Sequence, residues 1–155
     1  MTASAFLPLT HSWPLYDAAR HMPMAWPDAP DRTAMQDAVL ATPDIGLWQC
    51  DLRDERLDWT DAVYRLFGLP DGERLERRLI VSLYEERSRV AMEALRAHAI
   101  RHHRGFTLDA RIRRPDGAWR WMRLTAIPVL SGRKVVRLRG AKQDVTAAYD
   151  GPGAD

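Results

Sequence analysis

The chain has 155 residues, 46% of them hydrophobic, with 23 lysines and arginines against 21 aspartates and glutamates. That length suits one domain with a sizeable core plus an extension, and a net charge of +2 supplies no global field for holding nucleic acid. The single cysteine, Cys50, cannot form an internal disulfide, and no apolar run approaches the roughly 18 residues of a membrane span, so a cytoplasmic protein without membrane insertion is expected. Residues 1–32 carry Pro8, Pro14, Pro23, Pro27 and Pro30 among scattered large apolar side chains such as Phe6, Trp13, Tyr16 and Trp26, with no helical or strand period. They read as an irregular arm that either wraps its own domain or docks on another protein. After Asp31, an acidic N-cap, an amphipathic helix is predicted over 33–42, stopped before Pro43.

From Ile45 the period becomes two. Gly46, Trp48, Cys50 and Leu52 share one face while Gln49 and Asp51 take the other, which predicts a half-buried strand. The charged run Arg53–Arg56 reads as a hairpin loop, and a short strand follows with Leu57 and Trp59 inward. Thr60 then caps a helical turn closed by Gly68 and Pro70. Residues 71–84 read as irregular or as short helices, and a longer helix is predicted over 85–103, with Val90, Ala91 and Leu95 buried and an end at Gly105. Three strands complete the chain. The first turns Phe106, Leu108, Ala110 and Ile112 inward, the second Met122, Leu124 and Ala126, the third Val136 and Leu138. Two strands, helices and three strands make an α+β layout, one antiparallel sheet covered by the helices between its halves.

The runs IGLWQCDLRDERLDWTDAVYRLFGLP, GFTLDARIRRPDGAWRWMRLTAIPV and RGAKQDVT stand in the order of a PAS domain, and the chain resembles those of bacterial histidine kinases and cyclic-dinucleotide enzymes over about Ile45–Thr146. The resemblance implies a five-stranded antiparallel sheet with helices packed on one face, within a domain over 33–147 whose core is 45–146. It implies a sensory and interaction role and homodimer formation, and because no catalytic constellation is found among the residues, no enzymatic activity is expected. Where many relatives carry an HPEDR-like motif, this chain has Leu83–Arg87 as LYEER. A short tail, 148–155, follows the closing DVT, so no output domain is expected in this chain. The expected partner is therefore a separate signalling protein such as a histidine kinase or response regulator.

Candidate chemistry is sparse. His98, His102 and His103 include an i, i+4 pair, but no third ligand follows, and a solvated helix end favoured by the C-terminal dipole is the plainer reading, so no metal site is expected. Flavin photoreceptors among the relatives use a cysteine within the central helices, whereas Cys50 lies on the first strand. No cofactor is assigned. A small ligand between sheet and helices remains the alternative, with Trp48, Trp59, Phe67, Phe106 and Met122 around it; the same five also make an adequate dry core. On the other sheet face, alternation places Arg111, Arg113, Trp119, Trp121, Arg123, Arg137 and Arg139, a composition suited to a protein interface. With Met35, Val39 and Leu40 of the N-terminal helix it forms the candidate partner or dimer surface, unless that helix and the arm cover it within the chain.

Overall fold

In the computed structural model, which describes residues 11–27 and 31–149, six antiparallel strands form one sheet: β1 (Ser12–Pro14), β2 (Ile45–Asp51), β3 (Leu57–Trp59), β4 (Arg104–Arg113), β5 (Trp119–Ser131) and β6 (Lys134–Asp144). The order across the sheet is β1-β4-β5-β6-β2-β3. The helices are α1 (Ala18–His21), α2 (Arg32–Ala38), α3 (Asp61–Phe67), α4 (Arg77–Ser82), α5 (Glu86–His102) and α6 (Thr146–Tyr149). Phe6 and the rest of 1–10, residues 28–30 and the tail from 150 onward lie outside the described residues.

The alternation of β4 and β5 is the predicted one: Phe106, Leu108, Ala110, Ile112, Met122, Leu124 and Ala126 are all buried in the main core. Trp48, Cys50 and Trp59 join them from β2 and β3, and α3, α4 and α5 close over this inner face. Thr60 occupies the N-cap of α3, but its hydroxyl accepts from the backbone N–H of Leu47 at 2.9 Å, so it ties the helix start to the sheet instead of capping the helix. Gly68 ends α3 with φ +71, a left-handed position that suits a residue without Cβ.

Five expectations are corrected. Part of the arm is a sixth strand: Ser12, Trp13 and Pro14 pair with Phe106, Gly105 and Arg104. Side-chain fit makes that pairing and periodicity could not show it, because the Trp13 ring lies where a Cβ on Gly105 would stand. The N-terminal helix stops at Ala38 and gives way to turns through Thr42. Val90 of α5 is 51% exposed and Met92 is buried in its place, while the helix ends on His103 at φ +56, two residues before Gly105. On β6 a register shift beside Val129 and Leu130 leaves Val136 unpaired, so Val135 and Leu138 face the core and Val136 does not. Helices also lie on both faces. Met35 and Val39 of α2 pack on Leu47 and Ala141 of the outer face, with Met22, Met24 and Trp26 beside them, and Tyr149 of α6 stacks on Trp121.

Side chains and loops occupy both ends of the β4 edge. β1 takes Arg104–Phe106; farther along, Glu85 N–H donates to Arg111 O at 2.8 Å, Arg113 N–H to Leu83 O at 2.7 Å, and Arg111 N–H to Ser88 Oγ at 2.8 Å.

Gly140 is the tightest point of the sheet. A Cβ there would lie 1.7 Å from Thr125 O, the carbonyl that accepts the Trp48 indole N–H at 3.3 Å. Gly140→Ala is expected to cost about 2–3 kcal/mol, since neither partner is the free end of a flexible chain. Urea unfolding of the two proteins, compared at equal m-value, checks it.

Candidate functional site

Between the inner face of the sheet and α4–α5 lies a cavity of about 50 Å³. Its walls are mostly apolar, with Trp48, Ile80, Met92, Phe106, Leu124 and Leu138 among them. Four polar or ionisable side chains reach the same space: Lys142 from β6, Arg77 from α4, Arg96 from α5 and the thiol of Cys50 from β2; Tyr84 adds its phenol. No aspartate or glutamate lines it.

Lys142 is the unusual member. It is 6% exposed, and its ammonium nitrogen stands 4.9 Å from the Phe67 ring centroid, 5.1 Å from Trp59 and 5.4 Å from Trp48. Trp59 and Phe67 stack with centroids 4.9 Å apart, so two of the three rings form one wall. The β2–β6 register produces the arrangement: Lys142 pairs with Gly46, whose missing side chain leaves room that Val63 closes from α3. Cation–π contacts of about 2 kcal/mol in a dry site fall short of the several kcal/mol needed to desolvate an ammonium. Desolvation wins: burial lowers the amine from its ordinary 10.5 to about 7, the nearby Cys50 opposing and Arg77 adding to the drop.

The two arginines differ. Arg77 is paired with Glu93, and Arg96 lies 3.8 Å from Glu55, and each carboxylate is more exposed than the guanidinium it meets. Burial pushes the Cys50 thiol up from 9.0, with Arg96 and Arg77 pulling the other way.

Of the five predicted pocket residues, Trp48 and Phe106 line the cavity. Trp59 and Phe67 stand behind it as the cage of Lys142, and Met122 is fully buried away from it. Lys142, Arg77 and Arg96 were missed, although the alternation that turns Leu138 inward also turns Gly140 and Lys142 inward.

The predicted partner surface is partly spent within the chain. Met35 and Val39 are buried, and only Leu40 of that group is exposed, at 70%. Arg139 lies over Trp26 at 5.1 Å, and burial together with Arg137, itself half-buried, lowers its pKa from 12.5. Trp121 is stacked under Tyr149, whose hydroxyl donates to Asp109 at 2.5 Å. What stays open is Trp119, with Arg111 at 4.5 Å and Arg113 at 5.4 Å from its ring. His98 and His102 face each other with centroids 4.5 Å apart. Among the described residues no group of three or more His, Cys, Asp or Glu side chains is arranged to hold a metal ion.

A family model described as PAS fold matches residues 56–141. The chain belongs to the PAS-fold family. Among solved structures, this PAS domain is 15% identical to the N-terminal domain of a diguanylate cyclase with a PAS/PAC sensor from Marinobacter aquaeolei, at a TM-score of 0.62, over 67% of this chain and 97% of that one. It is 18% identical to a sensory box histidine kinase/response regulator from Burkholderia thailandensis, at 0.60, over 72% and 85%. An RNA-binding light-oxygen-voltage receptor matches at 14% identity and 0.60, over 68% of this chain, which spans only 30% of that receptor. At such identities the likeness is one of fold. No curated protein resembles the PAS domain closely enough in sequence to count as a relative. No helix among its described residues is long and apolar enough to cross a membrane.

The depressed Lys142 sets a pH dependence. Between pH 7 and 9 the unfolded chain still holds a proton at Lys142 that the folded chain has released, so stability rises with pH over that window. Above it the raised Cys50 thiol works in the opposite sense. Lys142→Met is expected to remove the rise and to add about 1–3 kcal/mol at pH 7; thermal unfolding of both proteins at pH 7, 8 and 9 measures each effect.

Proposed function

We propose that this PAS domain is a small-molecule sensor, binding its ligand in the cavity between sheet and helices and passing occupancy to a separate signalling protein such as a histidine kinase or response regulator. The observation that carries the reading is Lys142: a buried amine on a largely apolar cavity, with no carboxylate beside it among the described residues. Dry cores avoid such groups because they destabilise the fold, whereas binding sites need a few polar groups set in apolar walls. The histidine-kinase and diguanylate-cyclase neighbours support the signalling context.

Light-oxygen-voltage neighbours and a flavin-analogue study of such a domain raise the flavin question. The residues do not fit it. The space is about 50 Å³, against roughly 300–1,000 Å³ for pockets that take drug-sized ligands, and Trp48, Trp59, Phe67 and Lys142 fill the region behind it. Cys50 lies on β2, buried.

A ligand saturating the folded state at a hundredfold its dissociation constant adds about 2.7 kcal/mol of stability. A thermal-shift screen of small metabolites is expected to find such a compound, and Ile80→Phe, which fills the cavity, to abolish its effect. A screen without any shift, or a shift untouched by the substitution, would count against sensing at this site.

The exposed Trp119 between Arg111 and Arg113 favours a second reading, an adaptor or homodimer surface, since such residues dominate interface energies. Under that reading Trp119→Ala weakens self-association or partner binding at least tenfold with unchanged unfolding midpoint, as measured by analytical ultracentrifugation and by binding to a purified kinase.

A further inference from the structure

Three cationic side chains and no acidic one reach the cavity, and they are not equivalent. The positive charges of Arg77 and Arg96 are met by Glu93 and Glu55. Lys142 has three N–H donors and engages neither a hydrogen-bond acceptor nor a carboxylate among the described residues; three ring faces flank its ammonium, with the Cys50 thiol nearby. A π face satisfies an ammonium electrostatically but accepts no strong hydrogen bond, so the donor capacity of Lys142 is open toward the cavity.

What completes such a site is one negative charge with acceptor oxygens. A second charge would find no unpaired cation, and the walls of Ile80, Met92, Leu124 and Leu138 repel hydrated groups. One water needs about 10–15 Å³ of such space, so the 50 Å³ here takes roughly three to five non-hydrogen atoms, and about one more once side chains adjust. Resting on the sensing reading above, we infer that the cavity binds a short-chain monocarboxylate of two to four carbons, its carboxylate on Lys142 Nζ and its alkyl end against the Ile80–Met92 wall.

The bond is a charge-assisted hydrogen bond, the strong kind in a dry site. It also has a proton signature. The other titratable groups on the cavity are Cys50 from β2, Arg77 from α4, Arg96 from α5 and Tyr84, and both Cys50 and Tyr84 are held neutral by burial at pH 8. A carboxylate arriving beside a largely neutral amine draws a proton onto it, so binding at pH 8 takes up close to one proton per site.

The test is titration calorimetry of the full chain at pH 8 with acetate, propionate and butyrate, in two buffers of different ionisation enthalpy, beside propionamide and propylamine. The expected result is binding of at least one carboxylate with proton uptake, loss of at least tenfold in affinity for the uncharged amide and for the amine, and a like loss in Lys142→Met. That variant keeps its fold because it removes a destabilising group, and its unfolding midpoint is the control. If propionamide binds as well as propionate, or if Lys142→Met still binds propionate, the carboxylate inference fails while sensing stands. If all these ligands fail but xenon or propanol shifts the Trp48 indole resonance, the cavity is a neutral apolar site and the inference again fails alone. If nothing enters the cavity, both readings fail.

Discussion

The pairing of β2 with β6 governs the rest of the molecule, because its two bulkiest inner side chains each stand opposite a glycine. Trp48 pairs with Gly140 and Lys142 with Gly46. The first glycine lets the Thr125 carbonyl reach the Trp48 indole; the second leaves the space into which Val63 of α3 packs. A slip of one residue would reverse every face of β6 and set Arg139 and Ala141 against the helices. Two small positions thereby define the register, the floor of the cavity and the seat of its amine together.

The buried lysine turns that packing into a compromise between stability and chemistry. Its ring cage offsets part of the lost hydration and leaves the remainder as a cost to the fold. The same deficit keeps the amine near neutrality, where a modest change in surroundings moves its charge. The arginines nearby illustrate the contrast, since each reaches a carboxylate at the surface and so remains an ordinary ion pair.

Strand alternation made the inner faces of β4 and β5 legible, and the motif order made the family legible. What escaped depends on contacts between distant segments. Ser12–Pro14 is too short for a period and becomes a strand through the fit of Trp13 over Gly105. The irregularity at Val136 has no composition signal, yet it decides that Val135 packs inward. Lys142 obeyed the alternation and was passed over because lysine belongs outside by type. Its place becomes intelligible only with rings from β2, β3 and α3 around it. Met35 and Val39 show the converse, since an amphipathic helix on its own cannot say whether its apolar side meets its own sheet or a second chain.

The closed edge of β4 has a consequence for behaviour at high concentration. A long, flat strand with free amides is where one molecule templates the misassembly of the next. Here β1 occupies the first stretch of that edge and the Leu83–Ser88 segment the last, while the opposite margin is β3, three residues long. Among the described residues, a foreign strand meets only short runs to zip along. The fold is thus guarded against aggregation by sheet extension, and encounters between copies are steered to side-chain surfaces.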